Sequence, residues 1–219
     1  MELAIATIVA LLPIINPFSA APMFLTLTEG YSEMERREQA RKAVIYMVCI
    51  LVAFLIGGTF IMQFFGLSLP GLRIAGGILL AGLGMNMLYP KDTLITTPEA
   101  EMESRFKRDV SFIPLAMPSL AGPGSISVTI GLTSLVKSPI DLVAIIIGIL
   151  IVAVSVFITL RLSTSLVKVL GVNGLQAMTK IMGFIILCIG VQFIVNGIIG
   201  VASSPELINS VMKTINSAP

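Results

Sequence analysis

Leu142-Val143-Ala144-Ile145-Ile146-Ile147-Gly148-Ile149-Leu150-Ile151-Val152 is the stretch that decides the fold. No charged side chain interrupts it, and the uncharged run continues to Leu160. A transmembrane β-strand alternates apolar and polar residues. A helix on the surface of a soluble domain shows a polar face every few positions. This stretch does neither, so it reads as a helix surrounded by hydrocarbon.

Working outward, five more runs lack any charged residue: Leu3–Thr28, Ala43–Leu72, Ile74–Pro90, Val110–Val136 and Ile181–Pro205. A spanning helix takes roughly 20 mainly apolar residues, so each run supplies one span. Charged residues make up 12% of the 219-residue chain, against about 25% in soluble domains. One soluble core cannot hide six such segments. The expected fold is an all-α, polytopic membrane protein with six transmembrane helices. The first run is expected to be a span and not a cleaved leader, because no basic residue precedes Arg36.

The connections fall near 29–43, 65–73, 90–109, 137–141 and 161–180. Alternate connections share a side. One side gathers Arg36, Arg37, Arg41, Lys42, Lys91, Arg105, Lys107, Arg108, Arg161, Lys168 and Lys180; the other holds Arg73, Lys137 and Lys213. Basic loops stay cytoplasmic, so both termini are expected outside. Tyr31, Tyr46 and Tyr89 then sit near the cytoplasmic interface, where amphipathic rings settle. Ser32 with Glu35 forms a capping-box pattern that can start a helix at the membrane surface.

An internal echo organises the chain further. Pro13, Pro17 and Pro22 of the first span return as Pro114, Pro118 and Pro123 of the fourth, each 101 positions on. Arg73-Ile74-Ala75-Gly76-Gly77-Ile78 is echoed by Lys180-Ile181-Met182-Gly183-Phe184-Ile185. Three spans per half force the second half to enter from the opposite side, the inverted repeat of many secondary transporters. The expected division is a three-helix repeat over 1–90, a cytoplasmic linker over 91–109, an inverted three-helix repeat over 110–202 and a short tail over 203–219. In this 3+3 inverted repeat the first and fourth spans are broken by proline.

Proline removes an N–H and clashes with the preceding turn. Backbone groups freed in this way cannot face lipid and belong against protein or a water-filled cavity. Half-helix ends then bind charge without ionised side chains: an N-terminus suits a carboxylate, a C-terminus an ammonium or sodium ion. The expected ligand is a small zwitterion, and the substrate-binding candidates are Asn16, Pro17, Ser19, Ser119, Gly122, Gly124, Ser125 and Ser127. Asn86, Gln192, Asn196 and Arg73 are candidates for the path or for coupling. Gly71 with Ala75 and Gly77 with Ala81 are small-x-x-x-small pairs expected to mark close helix packing.

The chain has no histidine, which removes imidazole acid–base chemistry and imidazole metal sites. Cys49 and Cys188 both lie in apolar runs and read as small buried thiols. No cofactor, metal or nucleic-acid partner is expected; the lipid bilayer is the obligatory one. Sodium or proton coupling, transport direction and oligomeric state stay open at this point. A channel or passive facilitator and a structural membrane subunit without transport are the alternative readings. An enzyme is the weakest, since Ser19 or Ser125 would lack a base.

Several blocks carry a family resemblance: Leu12-Pro13 with Asn16-Pro17, Pro70-Gly71-Leu72-Arg73-Ile74-Ala75-Gly76-Gly77, Pro114-Leu115-Ala116-Met117-Pro118, Ala121-Gly122-Pro123-Gly124, Met182-Gly183-Phe184 and Gly190-Val191-Gln192-Phe193. With these the chain resembles the MarC family of bacterial and archaeal membrane proteins, also described as neutral amino acid transporters. The resemblance implies about six spans, placement in the inner membrane and transport of glycine, alanine and similar solutes.

The orientation is testable with reporter fusions. A phosphatase active only outside the cytoplasm should be active when fused after Pro219, and a reporter inserted in the 91–109 linker should behave as cytoplasmic. The reverse pattern overturns the assignment.

Overall fold

The computed structural model describes residues 2–90 and 109–204. The linker charges Lys91, Arg105, Lys107 and Arg108, and the tail with Lys213, lie outside the described residues. Every described element is helical: α1 (Glu2–Ile15), α2 (Pro17–Leu27), α3 (Glu33–Phe64), α4 (Leu69–Leu88), α5 (Ser111–Leu120), α6 (Pro123–Thr133), α7 (Pro139–Arg161) and α8 (Ser163–Ala202). Four helices are long and apolar enough to cross a bilayer: α3, α4, α7 and the Asn173–Ala202 part of α8. The pairs α1/α2 and α5/α6 are bent by 44° and 61°, and counting each pair as one span gives up to six. The protein is an all-α polytopic membrane protein.

The long helices start where local chemistry lets them. The Ser32 hydroxyl accepts from the Glu35 amide while the Glu35 carboxylate accepts from the Ser32 amide, a complete capping box. Ser138 and Asp141 repeat the device at α7. Ser68 caps α4 with Pro70 in the first turn.

One boundary and one burial expectation differ from the sequence reading. The 161–180 connection is helical almost throughout, because α8 already begins at Ser163. A kink at Gly171, whose φ of +64° suits glycine, separates its first two turns from the spanning part. Cys49 and Cys188 are exposed on helix faces and not buried. In a bilayer such faces meet lipid tails, which suit a thiol as well as a core does.

The bundle packs α1 on α7, α5 on α3, α2 on α8, α6 on α4, α3 on α7 and, most extensively, α4 on α8. Phe24, Met47, Leu51, Leu115, Leu120, Ile145 and Ile149 fill its centre. The α4–α8 contact is a glycine seam. A Cβ on Gly77 would lie 2.6 Å from the Gly190 carbonyl oxygen, one on Gly84 2.6 Å from that of Gly183, and one on Gly197 2.8 Å from that of Pro70. The pairing runs antiparallel, and the backbones touch. Hydrocarbon tails supply no hydrophobic drive between helices, so such close approach is what holds them together. Of the two small-residue pairs, Gly77 and Ala81 face α8. Ala75 is exposed, and Gly71 meets only its own N-cap Ser68.

At the end of the bundle near Lys42, α3 is tied to the start of α5. Lys42 Nζ lies 2.9 Å from Glu38 and 3.4 Å from Asp109, and the Val110 amide donates to Gln39 Oε1 at 3.1 Å. The Ser111 hydroxyl, then its amide and Lys42, hold the Asp109 carboxyl below the usual aspartate range.

Gly190→Val should lower folded yield and thermal stability sharply, by more than the roughly 1–3 kcal/mol of ordinary overpacking, because its Cβ would meet the Ala81 amide nitrogen at 2.6 Å. Gly57→Ala, where a Cβ meets nothing within 4 Å, should leave the melting temperature in detergent essentially unchanged. Equal behaviour of the two would remove the seam's structural role.

Candidate functional site

The site begins with a missing donor. Pro17 has no N–H, so the Pro13 carbonyl loses the partner that an unbroken helix would give it. The chain turns at Asn16, which adopts a left-handed backbone (φ 43°, ψ 72°) tolerated by asparagine better than by most residues. Asn16 then caps the next helix: its Oδ1 accepts from the Ser19 amide at 3.4 Å, with Pro17 in the first turn. Pro13 and Pro22, by contrast, stay inside α1 and α2.

The second break uses the same prolines differently. Residues preceding proline are pushed to extended dihedrals, and Ile113 and Met117 are extended within α5. The Ile113–Pro114 and Met117–Pro118 bonds are cis. Backbone hydrogen bonds here reach one residue further than in an α-helix, as from the Ala121 amide to the Ala116 carbonyl at 2.8 Å. Met117 is the counterpart of Asn16 at the 101-residue offset, yet the sharp bend comes later, at Ala121 and Gly122. Gly122 precedes Pro123 and α6, and no side chain caps that N-terminus. A Cβ on Gly122 would stand 2.5 Å from the Pro118 carbonyl oxygen, so the turn needs glycine there.

Between the two breaks and α4 lies a cavity of about 610 Å³. Asn16 and Ser19 line it from the first break, Ser119, Gly122, Gly124 and Ser125 from the second, and Asn86 from α4. None of the lining residues carries a charge. The N-terminal end of α6 and the C-terminal end of α1, at Ile14 and Ile15, both border the space. They bring partial positive and partial negative charge to one cavity. Asn16 is only 4% exposed, and its Nδ2 has no partner. A buried donor left in that state costs about 1–3 kcal/mol. The Ser125 hydroxyl donates to the Gly122 carbonyl at 2.9 Å and so braces the turn.

The other sequence candidates lie elsewhere. Pro17 shapes the break without lining the cavity. Ser127 is buried against Gly76, its hydroxyl without a partner. Arg73 reaches Ser134 Oγ at 3.4 Å. Gln192 donates to Asn196 at 2.9 Å on an exposed face of α8. Sequence reasoning missed the apolar wall, made by Met23 with Ile78, Leu79 and Leu83 of α4. Its signal was present: Leu79, Leu83 and Asn86 recur at helical spacing, away from the Gly77–Gly84 seam. Among the described residues no cluster of metal-ligating side chains occurs.

Fold and site together define a multi-pass helical membrane protein with an uncharged cavity between two broken helix pairs. A profile described as MarC family integral membrane protein matches residues 1–202. The chain belongs to the MarC family. It is 38% identical over 203 residues to the inner membrane protein MarC of Escherichia coli K12, covering 88% of this chain and 92% of that one. The same protein of Citrobacter koseri is 37% identical over the same shares. No solved structure matches. The chain is therefore a multi-pass protein of the inner membrane.

Ser127→Ala should raise stability by roughly 1 kcal/mol, since it removes a buried hydroxyl that has no partner. Thermal unfolding in detergent measures this, and a clear loss of stability would show that the hydroxyl has a partner after all.

Proposed function

We propose that this protein is a secondary transporter of small neutral amino acids, of the glycine and alanine class, working by alternating access around the two broken helix pairs. The observation that carries the reading is the cavity of about 610 Å³, uncharged yet bordered by helix N-termini, of α2 and α6, and helix C-termini, of α1 and α5. Opposite helix ends complement the carboxylate and ammonium of a zwitterion, while an uncharged lining gives no anchor to a charged side chain. The volume lies within the usual range of ligand cavities, roughly 300–1,000 Å³. In this reading the amides of Gly124 and Ser125 receive the carboxylate. Asn16, Ser19 and Ser119 add neutral contacts, Gly122 and Pro17 shape the two turns, and Asn86 lines the path.

The 3+3 inverted repeat belongs to the same proposal, with repeats over 1–90 and 110–202 joined by the 91–109 linker. It is supported by the proline echo and by the pairing of elements. α1 on α7 has its counterpart in α5 on α3, and α2 on α8 has its counterpart in α6 on α4. Both termini then lie outside. Sodium held by carbonyls and hydroxyls suits the uncharged lining better than a proton does, so coupling is tested with both gradients. Ser127 is left with a packing role against Gly76, Arg73 with its bond to Ser134, and Gln192 and Asn196 with their bond to each other on the exposed face of α8.

Purified protein in liposomes should take up labelled glycine or alanine saturably and be accelerated by unlabelled substrate on the opposite side; an open pore gives no such acceleration. Asn16→Gly keeps the left-handed backbone and removes the amide. It and Ser119→Leu should each raise KM about tenfold, as expected for a lost hydrogen bond to a charged group, with folded yield unchanged. No uptake under either sodium or proton gradients, with binding also absent, sinks the reading.

A further inference from the structure

Past its first turn, where Gly71 meets only Ser68, the glycines of α4 divide into two kinds. Gly76, Gly77 and Gly84 are held by neighbours: a Cβ would meet Ser127 at the first, Gly190 and Ile194 at the second, Gly183 and Leu187 at the third. Packing explains those three. Gly82 differs, because a Cβ there meets nothing within 4 Å although the residue lines the cavity. Glycine inside a helix costs up to about 1 kcal/mol relative to alanine, and at Gly82 no packing neighbour accounts for it. What it leaves is open space on the exposed face of α4 that lines the cavity, beside Ile78, Leu79 and Leu83 and one helical turn from Asn86.

We propose that Gly82 sets the size of the substrate side chain that the cavity accepts. The inference rests on the transport reading above and adds to it a specificity-determining position. The polar ends of α1 and α6 hold the zwitterionic head that all amino acids share. The apolar recess at Gly82 receives the part in which they differ. A Cβ introduced at position 82 strikes no protein atom, and position 82 lines the cavity, so in this reading a side chain there competes with the substrate and leaves the fold intact. This separates it from the seam glycines, where the same change damages packing.

The test uses the full chain in liposomes, with labelled glycine uptake inhibited by unlabelled glycine, alanine, valine, leucine and phenylalanine. Gly82→Ala, Gly82→Val and Gly82→Leu should keep the wild-type melting temperature. Inhibition should weaken in order of side-chain size, least for glycine. For Gly82→Leu, the largest amino acid that the wild type accepts should lose at least tenfold relative to glycine. An unchanged size order, or equal weakening for all five solutes, overturns the inference while wild-type uptake leaves the transport reading standing. A wild-type protein that takes up and binds none of the series overturns both.

Discussion

The constraint on which the rest depends is that a backbone amide or carbonyl inside a bilayer must have a partner or a cavity. Pro17 and Pro123 each begin a helix and cannot donate to the turn before. Each therefore creates loose helix ends at a depth where lipid offers no hydrogen bonds. The fold answers by placing both breaks inside the bundle, with α4 beside them and a cavity between. Threonine hydroxyls satisfy other carbonyls nearby: Thr28 donates to Phe24, and Thr129 to Ser125. The groups left at the cavity are those that a ligand can reach.

The glycine seam fixes where the third wall of that cavity stands. Backbone contact along Gly77, Gly84, Gly183, Gly190 and Gly197 sets α4 close against α8. The opposite side of α4, with Leu79, Leu83 and Asn86, then has to face the breaks. Packing on one face of a helix thus decides the chemistry offered by the other. The ties near Lys42, Gln39 and Asp109 join α3 of the first half to α5 of the second. The two halves are linked there by polar contacts at the membrane edge, by the Arg73 bond to Ser134, and elsewhere by apolar packing and the seam.

A likeness in sequence did not make the two breaks identical. The prolines share one spacing, yet α1 and α2 keep Pro13 and Pro22 within their helices and bend only before Pro17. The second segment is extended at Ile113 and Met117 and bends most at Gly122. Asn16 accounts for part of the difference. It turns left-handed and caps the following helix, while its counterpart Met117 has no side-chain oxygen with which to cap. The second segment has Gly122 five residues on, and it makes its turn there.

The membrane class, the Ser32–Glu35 capping box and the presence of two proline-rich interruptions were legible in the sequence, because hydropathy, capping and a missing N–H act over a few neighbouring residues. So were most of the polar groups at the cavity, since they crowd around those same prolines. Which proline bends the chain, that 161–180 is helix, that Ser127 turns to Gly76 while Asn86 turns to the cavity, and that Gly82 faces open space were decided by the tertiary structure alone. These depend on what stands across from each residue, often about a hundred positions away along the chain, and a linear pattern carries no record of that neighbour.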